Sequence, residues 1–433
     1  MFPGISRGGR AAVLFAAATA GILAMAAPAQ AINSVHPTVV SANPDNNTPH
    51  MLDGTVFAFA QVGNRVYVAG SYTRVRNYNS TTEYQRRFLV ALDRTTGLLD
   101  MAFQPNPSGT VRSIVPAADG QSIYVAGDFT SIGGGNSNRV ARLDLATGAR
   151  VPGFTPPAMN GGADMIRLVG GRLIVGGRFQ AVGGQTRRAL VALNAATGAA
   201  DPWLNGITLD GARVTVTGAT SPVKIEELDV SEDGRRLVFV GNFSSVAGQP
   251  RHQIAVVDLT TSPATLNGWT TTRFQVECGP SSPTYTTGID ISADGSWMVV
   301  VTKGRMYTGR LCDAATRWNL NTSAPNQQPT WINYTGGDTL LSVGITEAAV
   351  YVGGHQRWMN NPGGRDSAGP GAVVREGIAA LDPVTGLALP WNPGKTRGVG
   401  TQAIYSTPQG LWIGSDGSRV AGEYHGKIAF FPL

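Results

Sequence analysis

The sequence predicts an all-β fold made of repeated four-stranded units, and three observations support that prediction. Helical periodicity is almost absent from the 433 residues, and short runs of Val, Ile, Phe, Tyr and Thr are bounded by Gly, Pro, Asn and Asp. The stretch SIYVAGDFTSIGGGNSNRVARLDLATG, residues 122–148, recurs in altered form along the chain. Apolar residues make up 42% of the chain, enough to build a core. Repeated four-stranded antiparallel units form β-propellers, so we predict a seven-bladed β-propeller with four antiparallel strands per blade.

The number of blades follows from counting one kind of strand. Each unit contains an apolar first strand, a VYVAG-like second strand, an ALD-like third strand and a fourth strand with an aromatic residue after Thr-Gly. A hairpin turn such as Asp119-Gly120 separates the first two strands. The second strand ends at seven places, which are Gly70, Gly127, Gly177, Gly241, Thr302, Gly354 and Ser415.

Residues 1–31 have the features of a secretory signal peptide. Arg7 and Arg10 precede an apolar run over residues 11–27, and an A-x-A cleavage site ends at Ala31. A membrane anchor is the alternative for this segment. No later segment contains the roughly 18 apolar residues that a spanning helix needs. We therefore expect residues 32–433 to form a single exported propeller domain with no membrane span.

The two ends of the chain are predicted to close the ring. The chain stops with FFPL, residues 430–433, which is a third strand with no fourth strand after it. Residues 38–44, TVVSANP, are similar to the fourth strands of other units. We predict that this segment pairs with residues 427–431 and removes the exposed sheet edges of an open array.

The two cysteines and the modest net charge indicate a disulfide and argue against a nucleic-acid partner. Cys278 and Cys312 are an even pair in a chain predicted to be exported, which favours a disulfide. A metal pair or a catalytic thiol is the alternative, but neighbouring Cys and His partners are missing. The net charge of +6 is spread over the repeats, so we expect no nucleic-acid partner. We expect a monomer.

Connection lengths distinguish the two faces of the predicted propeller. Because strands alternate in direction, connections from strand two to three and from strand four to the next unit share one face, here called the loop face. The connections on the opposite face are uniformly tight. The loop face carries the long ones, and binding residues concentrate on such loops. The long connections are residues 71–86, 205–223, 268–288 and 355–375.

Residues that recur in most units are predicted to be structural. The aromatic residues after strand two and in strand four recur too regularly to form one site, so we expect them to pack between blades; they are Phe129, Phe179, Phe243, Phe103, Phe154, Trp203, Trp269 and Trp391. The Asp or Asn that ends strand three is expected to cap the following turn. These residues are Asp93, Asp144, Asn194, Asp258 and Asp382.

Residues outside the repeat are the candidate binding residues. Aromatic rings in the long connections could stack on sugars or dock a protein, although they could also pack only against their own loops; they are Tyr78, Tyr84, Tyr285 and Trp358. Three charged residues in first strands are predicted to line a central channel, with structural ion pairing as the alternative; they are Arg112, Glu226 and Asp290.

No catalytic, metal or cofactor site is predicted. The five histidines lack metal-ligand spacing, and no Gly-x-Ser-x-Gly motif occurs. Glu226 and Glu227 are expected on opposite faces of one strand, because side chains alternate. Carboxylates from different blades could still meet over the channel.

Two families share motifs with the chain. ALNAATGAADPW, residues 192–203, and ALDPVTGLALPW, residues 380–391, resemble the tryptophan-docking motif of pyrroloquinoline-quinone dehydrogenase propellers, with one more residue before Trp. YVAGDFTSIGG and RVARLDLATGARVPGF are more similar to the delta-60 repeat family of exported bacterial propellers. That resemblance implies a secreted or surface propeller and brings no agreed activity and no catalytic residues.

These observations favour a non-enzymatic role in binding or scaffolding. The expected ligand is a cell-envelope or environmental glycan, or another exported protein, bound on the loop face. The alternative is a carbohydrate-active hydrolase or lyase, or a quinoprotein-like oxidoreductase, with its site over the channel. Propellers host both kinds of function.

Overall fold

A computed structural model describes residue 1 and residues 36–213, 221–279, 284–305 and 309–433. The predicted cleavage site at Ala31 lies outside these residues, as does the predicted signal peptide beyond Met1. The described part of the chain is all-β, and its one helical element is the 3₁₀ turn Pro202–Leu204. None of the described residues forms a helix that could cross a bilayer.

The described residues form seven large antiparallel sheets, numbered 1 to 7 in chain order. Each first strand pairs with the second strand and the second with the third. The first strands are Val56–Val62, Val111–Pro116, Ala163–Val169, Lys224–Val230, Thr286–Ile291, Leu340–Ile345 and Thr401–Thr407. The second strands are Arg65–Gly70, Ser122–Gly127, Arg172–Gly177, Arg236–Asn242, Trp297–Thr302, Val350–Gly354 and Gly410–Ser415. The third strands are Leu89–Asp93, Val140–Asp144, Leu190–Asn194, Ile254–Asp258, Ala314–Asn319, Ile378–Leu381 and Ile428–Pro432.

The predicted fourth strand is regular in only part of the fold. Sheets 3, 4 and 5 carry it as Ala200–Asp201, Thr265–Leu266 and Trp331–Tyr334. In sheets 1, 2 and 6 the same position contributes one bridge each, which are Leu92 with Leu99, Leu143 with Arg150, and Leu381 with Ala388.

Short hairpins occupy the connections between strands two and three, where the sequence suggested irregular loops. Among the described residues, all sheets except sheet 5 have one, here called a rim hairpin. In sheet 2 the turn residues Gly133 and Gly134 have φ of 57° and 84°, and such paired positive values favour glycine in a two-residue hairpin turn. The rim hairpins are Arg74–Arg76 with Glu83–Gln85, Ser131–Ile132 with Gly135–Asn136, Ala181–Val182 with Gln185–Thr186, Ser245–Val246 with Gln249–Pro250, Trp358–Met359 with Val373–Val374, and Arg419–Val420 with Glu423–Tyr424. His50–Met51 and Leu209–Asp210 each add a strand to the rim hairpin of their sheet.

Sheet 5 differs from the others at this connection. Cys312, just before its third strand, forms a disulfide with Cys278, with the two Cα atoms 5.5 Å apart. The predicted disulfide is therefore confirmed. The bond ties the connection to the segment that precedes the sheet.

The recurring residues of the repeat have structural roles. The carboxylate of Asp144 accepts hydrogen bonds from the Thr147 hydroxyl at 2.7 Å and backbone N–H at 2.8 Å. These bonds lower the pKa of Asp144 below its usual value. The turns after Asp93, Asn194, Asp258 and Asp382 are capped in the same way, as predicted. The recurring Phe and Trp residues are all buried.

Three pairs of neighbouring sheets, 4 with 5, 5 with 6 and 7 with 1, are joined through one repeated position of the first strand. Its side chain accepts the backbone N–H of the first strand in the next sheet. Asp229 accepts from Ile291 at 3.0 Å. The hydroxyl of Tyr405, in sheet 7, accepts from Gln61, in sheet 1, at 3.1 Å. Sheets 7 and 1 are therefore in contact through the same kind of bond that joins sheets 4 and 5.

The segment around residues 38–45 lies along the third strand of sheet 7. The Ser41 N–H donates to the Pro432 carbonyl, and the Asp45 N–H donates to the Phe430 carbonyl, both at 2.8 Å. The indole of Trp391, from sheet 6, donates to the Ser41 carbonyl at 3.1 Å. The segment is thus held by two sheets that are distant from it in sequence.

Candidate functional site

The first strands of all seven sheets line one cavity of about 460 Å³. Each of these strands has a register shift near its start, where two residues face one residue of the second strand. Such a β-bulge leaves one residue unpaired and re-aims side chains. The start of strand one lies beside the end of strand two, so the bulges are on the loop face. They form the loop-face end of the cavity, which we call its mouth.

The seven unpaired bulge residues form what we call the bulge layer. They are Phe57, Arg112, Asp164, Glu226, Thr287, Leu341 and Gln402, and all of them line the cavity. One sector of this layer is charged, and another contains the apolar side chains of Phe57 and Leu341. The layer therefore offers a ligand both polar and apolar contacts.

Four charged residues from sheets 2 and 3 form a closed network at the cavity mouth. The Arg112 Nε atom lies 2.9 Å from an Asp128 oxygen and 3.2 Å from an Asp164 oxygen. Arg178 contacts the same two carboxylates, at 2.6 Å and 2.8 Å. The two carboxylates raise the pKa of Arg178, so it stays charged. Each charge has two opposite neighbours, which keeps the side chains oriented.

Two of the four residues in this network occupy the middle position of the recurring Gly-x-Phe motif. Asp128 and Arg178 each follow the last glycine of a second strand, and the buried Phe129 and Phe179 come next. The phenylalanines recur, whereas the residue before them varies between sheets. Variation inside an otherwise regular motif is the signal in the sequence that could have identified both residues.

A second charged group lies one layer further from the mouth. The Nε atom of Arg167 donates to Asp229 at 3.1 Å, and its Nη2 atom lies 3.5 Å from Glu227. Burial raises the pKa of Glu227 to about 7, while Arg167 opposes the shift and Asp229 adds to it. The Glu227 side chain is 22% exposed. The cavity therefore contains a carboxyl group that titrates near neutral pH.

Glu226 and Glu227 both line this cavity, although the alternation of a regular strand predicted that they point to opposite faces. The bulge lies between Ile225 and Glu227 and interrupts the alternation of side chains. Glu226 is paired with Lys224 at 2.5 Å, whereas Glu227 faces Arg167. Two adjacent carboxyl groups thus have different partners.

The three charged residues predicted to line a channel are brought together in this cavity. Arg112 and Glu226 belong to the bulge layer, and Asp290 lies deeper. One oxygen of Asp290 accepts the Ile345 N–H at 2.5 Å, which joins sheets 5 and 6. Asp290 therefore has a structural contact as well as its place in the cavity wall.

The predicted aromatic binding residues lie outside the cavity lining. Tyr78 is 36% exposed, between the strands of the sheet 1 rim hairpin. Tyr84, in the same hairpin, packs on the core between sheets 1 and 7. Trp358 is half-buried in the sheet 6 rim hairpin, with the Arg357 guanidinium 4.3 Å from its ring centre. The structure does not bring these rings together.

Tyr285 requires a correction, because its side chain is completely buried. Its hydroxyl donates to the Val276 carbonyl at 2.6 Å, and its ring packs against Phe274. Burial raises its pKa far above the usual range. It packs its own loop and presents no ring face to a ligand.

Comparisons with known proteins support a β-propeller repeat architecture. The model of the family described as "Domain of unknown function (DUF5122) beta-propeller" matches residues 118–148 and 171–202, in sheets 2 and 3. No curated protein matches the chain. The crystal structure of the computationally designed Ika8 protein is similar over 90% of this chain and 100% of that chain. Its TM-score is 0.48 and its sequence identity 11%.

Proposed function

We propose that this protein is an exported, closed seven-bladed β-propeller that binds a glycan at the mouth of its central cavity, on the loop face. The seven sheets are the blades, and the segment around residues 38–45 supplies the outer strand of the last blade. The contacts of Ser41 and Asp45 with sheet 7 support this closure. So does the bond from Gln61 to Tyr405, which gives sheets 7 and 1 the same link as sheets 4 and 5.

The observation that carries the binding role is the bulge repeated in all seven first strands around one cavity. The bulged position is regular in backbone and irregular in side chain, since it holds aromatic, aliphatic, cationic, anionic and amide groups. A structural repeat would keep the residue type, as the buried phenylalanines do. The cavity volume of about 460 Å³ also falls within the range of small-ligand sites.

The chemistry of the mouth fits a neutral, hydroxyl-rich ligand. The ionisable lining residues are balanced in number, with four cations, Arg112, Arg167, Arg178 and Lys303, and four carboxyl groups, Asp164, Glu226, Glu227 and Asp290. Such a lining has no strong preference for a polyanion or a polycation. Paired donors and acceptors match hydroxyl groups, which both donate and accept, and Phe57 adds an apolar surface. Tyr78 and Trp358 would extend contact for a longer chain.

A glycan array probed with residues 32–433 tests this proposal. We expect binding to neutral polysaccharides, weakened at least roughly tenfold, or ~1.4 kcal/mol, by Phe57→Ala and by Gln402→Ala. Tyr424→Ala is the matched control, since Tyr424 is an exposed aromatic residue of the sheet 7 rim hairpin that does not line the cavity. Equal binding by wild type and both cavity variants would exclude the cavity mouth. Binding to no glycan would leave an exported protein as the partner to seek.

Glu227 supports a second candidate, a carbohydrate-active hydrolase or lyase. A general acid works best with a pKa near the operating pH, and the pKa of Glu227 is about 7. Asp229 lies beside the same arginine, 3.1 Å from it. Turnover of any array hit by wild type, lost in Glu227→Gln, would favour the enzyme and overturn the non-enzymatic role.

Export is part of the proposal and rests on the N-terminal sequence and on the disulfide. Disulfides persist mainly in oxidising compartments, and Cys278 and Cys312 are bonded. N-terminal sequencing of the protein recovered from the culture medium tests this part. We expect a chain that begins near residue 32.

A further inference from the structure

A buried carboxyl group between sheets 5 and 6 has no hydrogen-bond or ion-pair partner among the described residues. Asp313 precedes the third strand of sheet 5, and its side chain is 0% exposed. No described residue donates a hydrogen bond to either of its carboxylate oxygens. An isolated ionised carboxylate is too costly to bury without a proton, a cation or a donor. A proton or a cation therefore completes this site.

The equivalent position in the other sheets shows what is missing. The residue before every third strand has a positive φ, between 51° and 74°; these residues are Phe88, Arg139, Ala189, Gln253, Asp313, Gly377 and Lys427. Three of them have side chains that donate to backbone carbonyls. Arg139 donates to Asp128, Gln253 donates to Phe274 at 2.8 Å, and Lys427 donates to Asp416.

In sheet 6 the position is a glycine, and a lysine from elsewhere fills the space. A Cβ on Gly377 would lie 3.2 Å from side-chain atoms of Lys395. The buried Nζ atom of Lys395 donates to the Thr396 carbonyl at 2.5 Å. Several sheets thus place a positive or donating group here, whereas sheet 5 places an acceptor.

The two arginines that bind the neighbouring Asp338 are not paired with Asp313. Asp338 is buried nearby and raises the pKa of Asp313, after the larger effect of burial, to about 8. The Asp338 oxygens are occupied by Arg357 at 2.9 Å and Arg397 at 3.2 Å. Arg357 also pairs with the exposed Asp366. Two arginines therefore neutralise two of the three carboxyl groups, and Asp313 remains.

We propose that Asp313 anchors a hard metal cation, of the calcium or sodium class, between sheets 5 and 6. Carboxylate and carbonyl oxygens are the ligands that such cations prefer. Among the described residues no three His, Cys, Asp or Glu side chains converge as a metal site would need, so backbone carbonyls and water complete the coordination. The Asp313 carbonyl accepts the N–H of Thr335 at 3.0 Å, so the site holds the entry to sheet 6 against sheet 5.

Calorimetric titration of the EDTA-treated chain, residues 32–433, with CaCl₂ tests the proposal. We expect one Ca²⁺ per chain, with a dissociation constant at or below about 10⁻³ M, as in extracellular modules. Asp313→Asn should bind none, while circular dichroism shows an intact fold. Asp233→Asn, an exposed turn carboxylate in sheet 4, should bind like wild type. The melting temperature should rise with Ca²⁺ in wild type and in Asp233→Asn only.

A second titration with NaCl in choline chloride buffer distinguishes the two cation classes. Saturation by Na⁺ with no response to Ca²⁺ would assign the site to a monovalent cation. If wild type responds to neither cation, Asp313 is held neutral by a proton and the proposal is wrong. Undiminished binding by Asp313→Asn would also overturn it. Should that variant fail to fold, the wild-type titrations still decide.

Discussion

The salt bridge between Asp229 and Arg167 permits a sharp test of how the sheets are held around the cavity. The Asp229 side chain is buried, and its two oxygens accept hydrogen bonds from different donors. One accepts from Arg167, in sheet 3, at 3.1 Å, and the other accepts from the Ile291 N–H, in sheet 5, at 3.0 Å. Asp229 lies in sheet 4, so Asp229→Ala removes bonds to both neighbouring sheets at once.

The expected cost follows from what remains after the substitution. Breaking a buried ion pair by removing one partner costs about 3–5 kcal/mol. Arg167 is 16% exposed on its side chain and keeps Glu227 at 3.5 Å, so we expect a loss of about 2–3 kcal/mol. Asp229→Asn should cost less, because the amide oxygen can still accept the Ile291 N–H.

Urea denaturation followed by tryptophan fluorescence measures these free energies of unfolding. Asp233→Ala is the control, since Asp233 is exposed in the next turn of the same sheet, and its loss should cost less than about 1 kcal/mol. A loss below about 1 kcal/mol for Asp229→Ala would refute the reasoning. In that case Arg167 would have found water or Glu227 as a sufficient substitute.

Three further predictions concern acid sensitivity, ring closure and the disulfide. Burial lowers the pKa of His50 from 6.5 to about 4, so the unfolded chain takes up a proton more readily than the folded one. The free energy of unfolding should therefore fall by roughly 3 kcal/mol as the pH drops from 6.5 to 4. Thermal melts over this pH range compare how steeply wild type and His50→Gln lose stability, and an equal loss in both would contradict the assignment. Tyr405→Phe removes the acceptor of the Gln61 N–H and should lower the free energy of unfolding in urea by about 1 kcal/mol. An unchanged free energy of unfolding would show that this bond does not hold sheets 7 and 1 together. Replacing Cys278 and Cys312 by Ser should cost about 3 kcal/mol, which reduction of the wild type should reproduce.

The repeated bulge connects the regular part of the fold with its variable part. It keeps the same backbone geometry in each first strand and turns an additional side chain toward the cavity. Substitutions at Phe57, Thr287 or Gln402 would therefore change the cavity mouth with little effect on the strand pairs.

The sequence alone determined the local elements of this protein. The strand types and the capped turns such as the one at Asp144 could be predicted, because they depend on residues within a few positions of one another. The disulfide could be predicted, because Cys278 and Cys312 have no other cysteine to pair with. The recurrence of one strand also indicated how many sheets to expect.

Only the tertiary structure decided which side chains meet. Glu226 and Glu227 share the cavity because a bulge interrupts their strand, and alternation in the sequence predicted the opposite. Tyr285 is buried because the segment around Phe274 covers it. The isolation of Asp313 depends on the sheet that packs beside it. Contacts of this kind join residues far apart in the chain, so strand patterns read one unit at a time do not contain them.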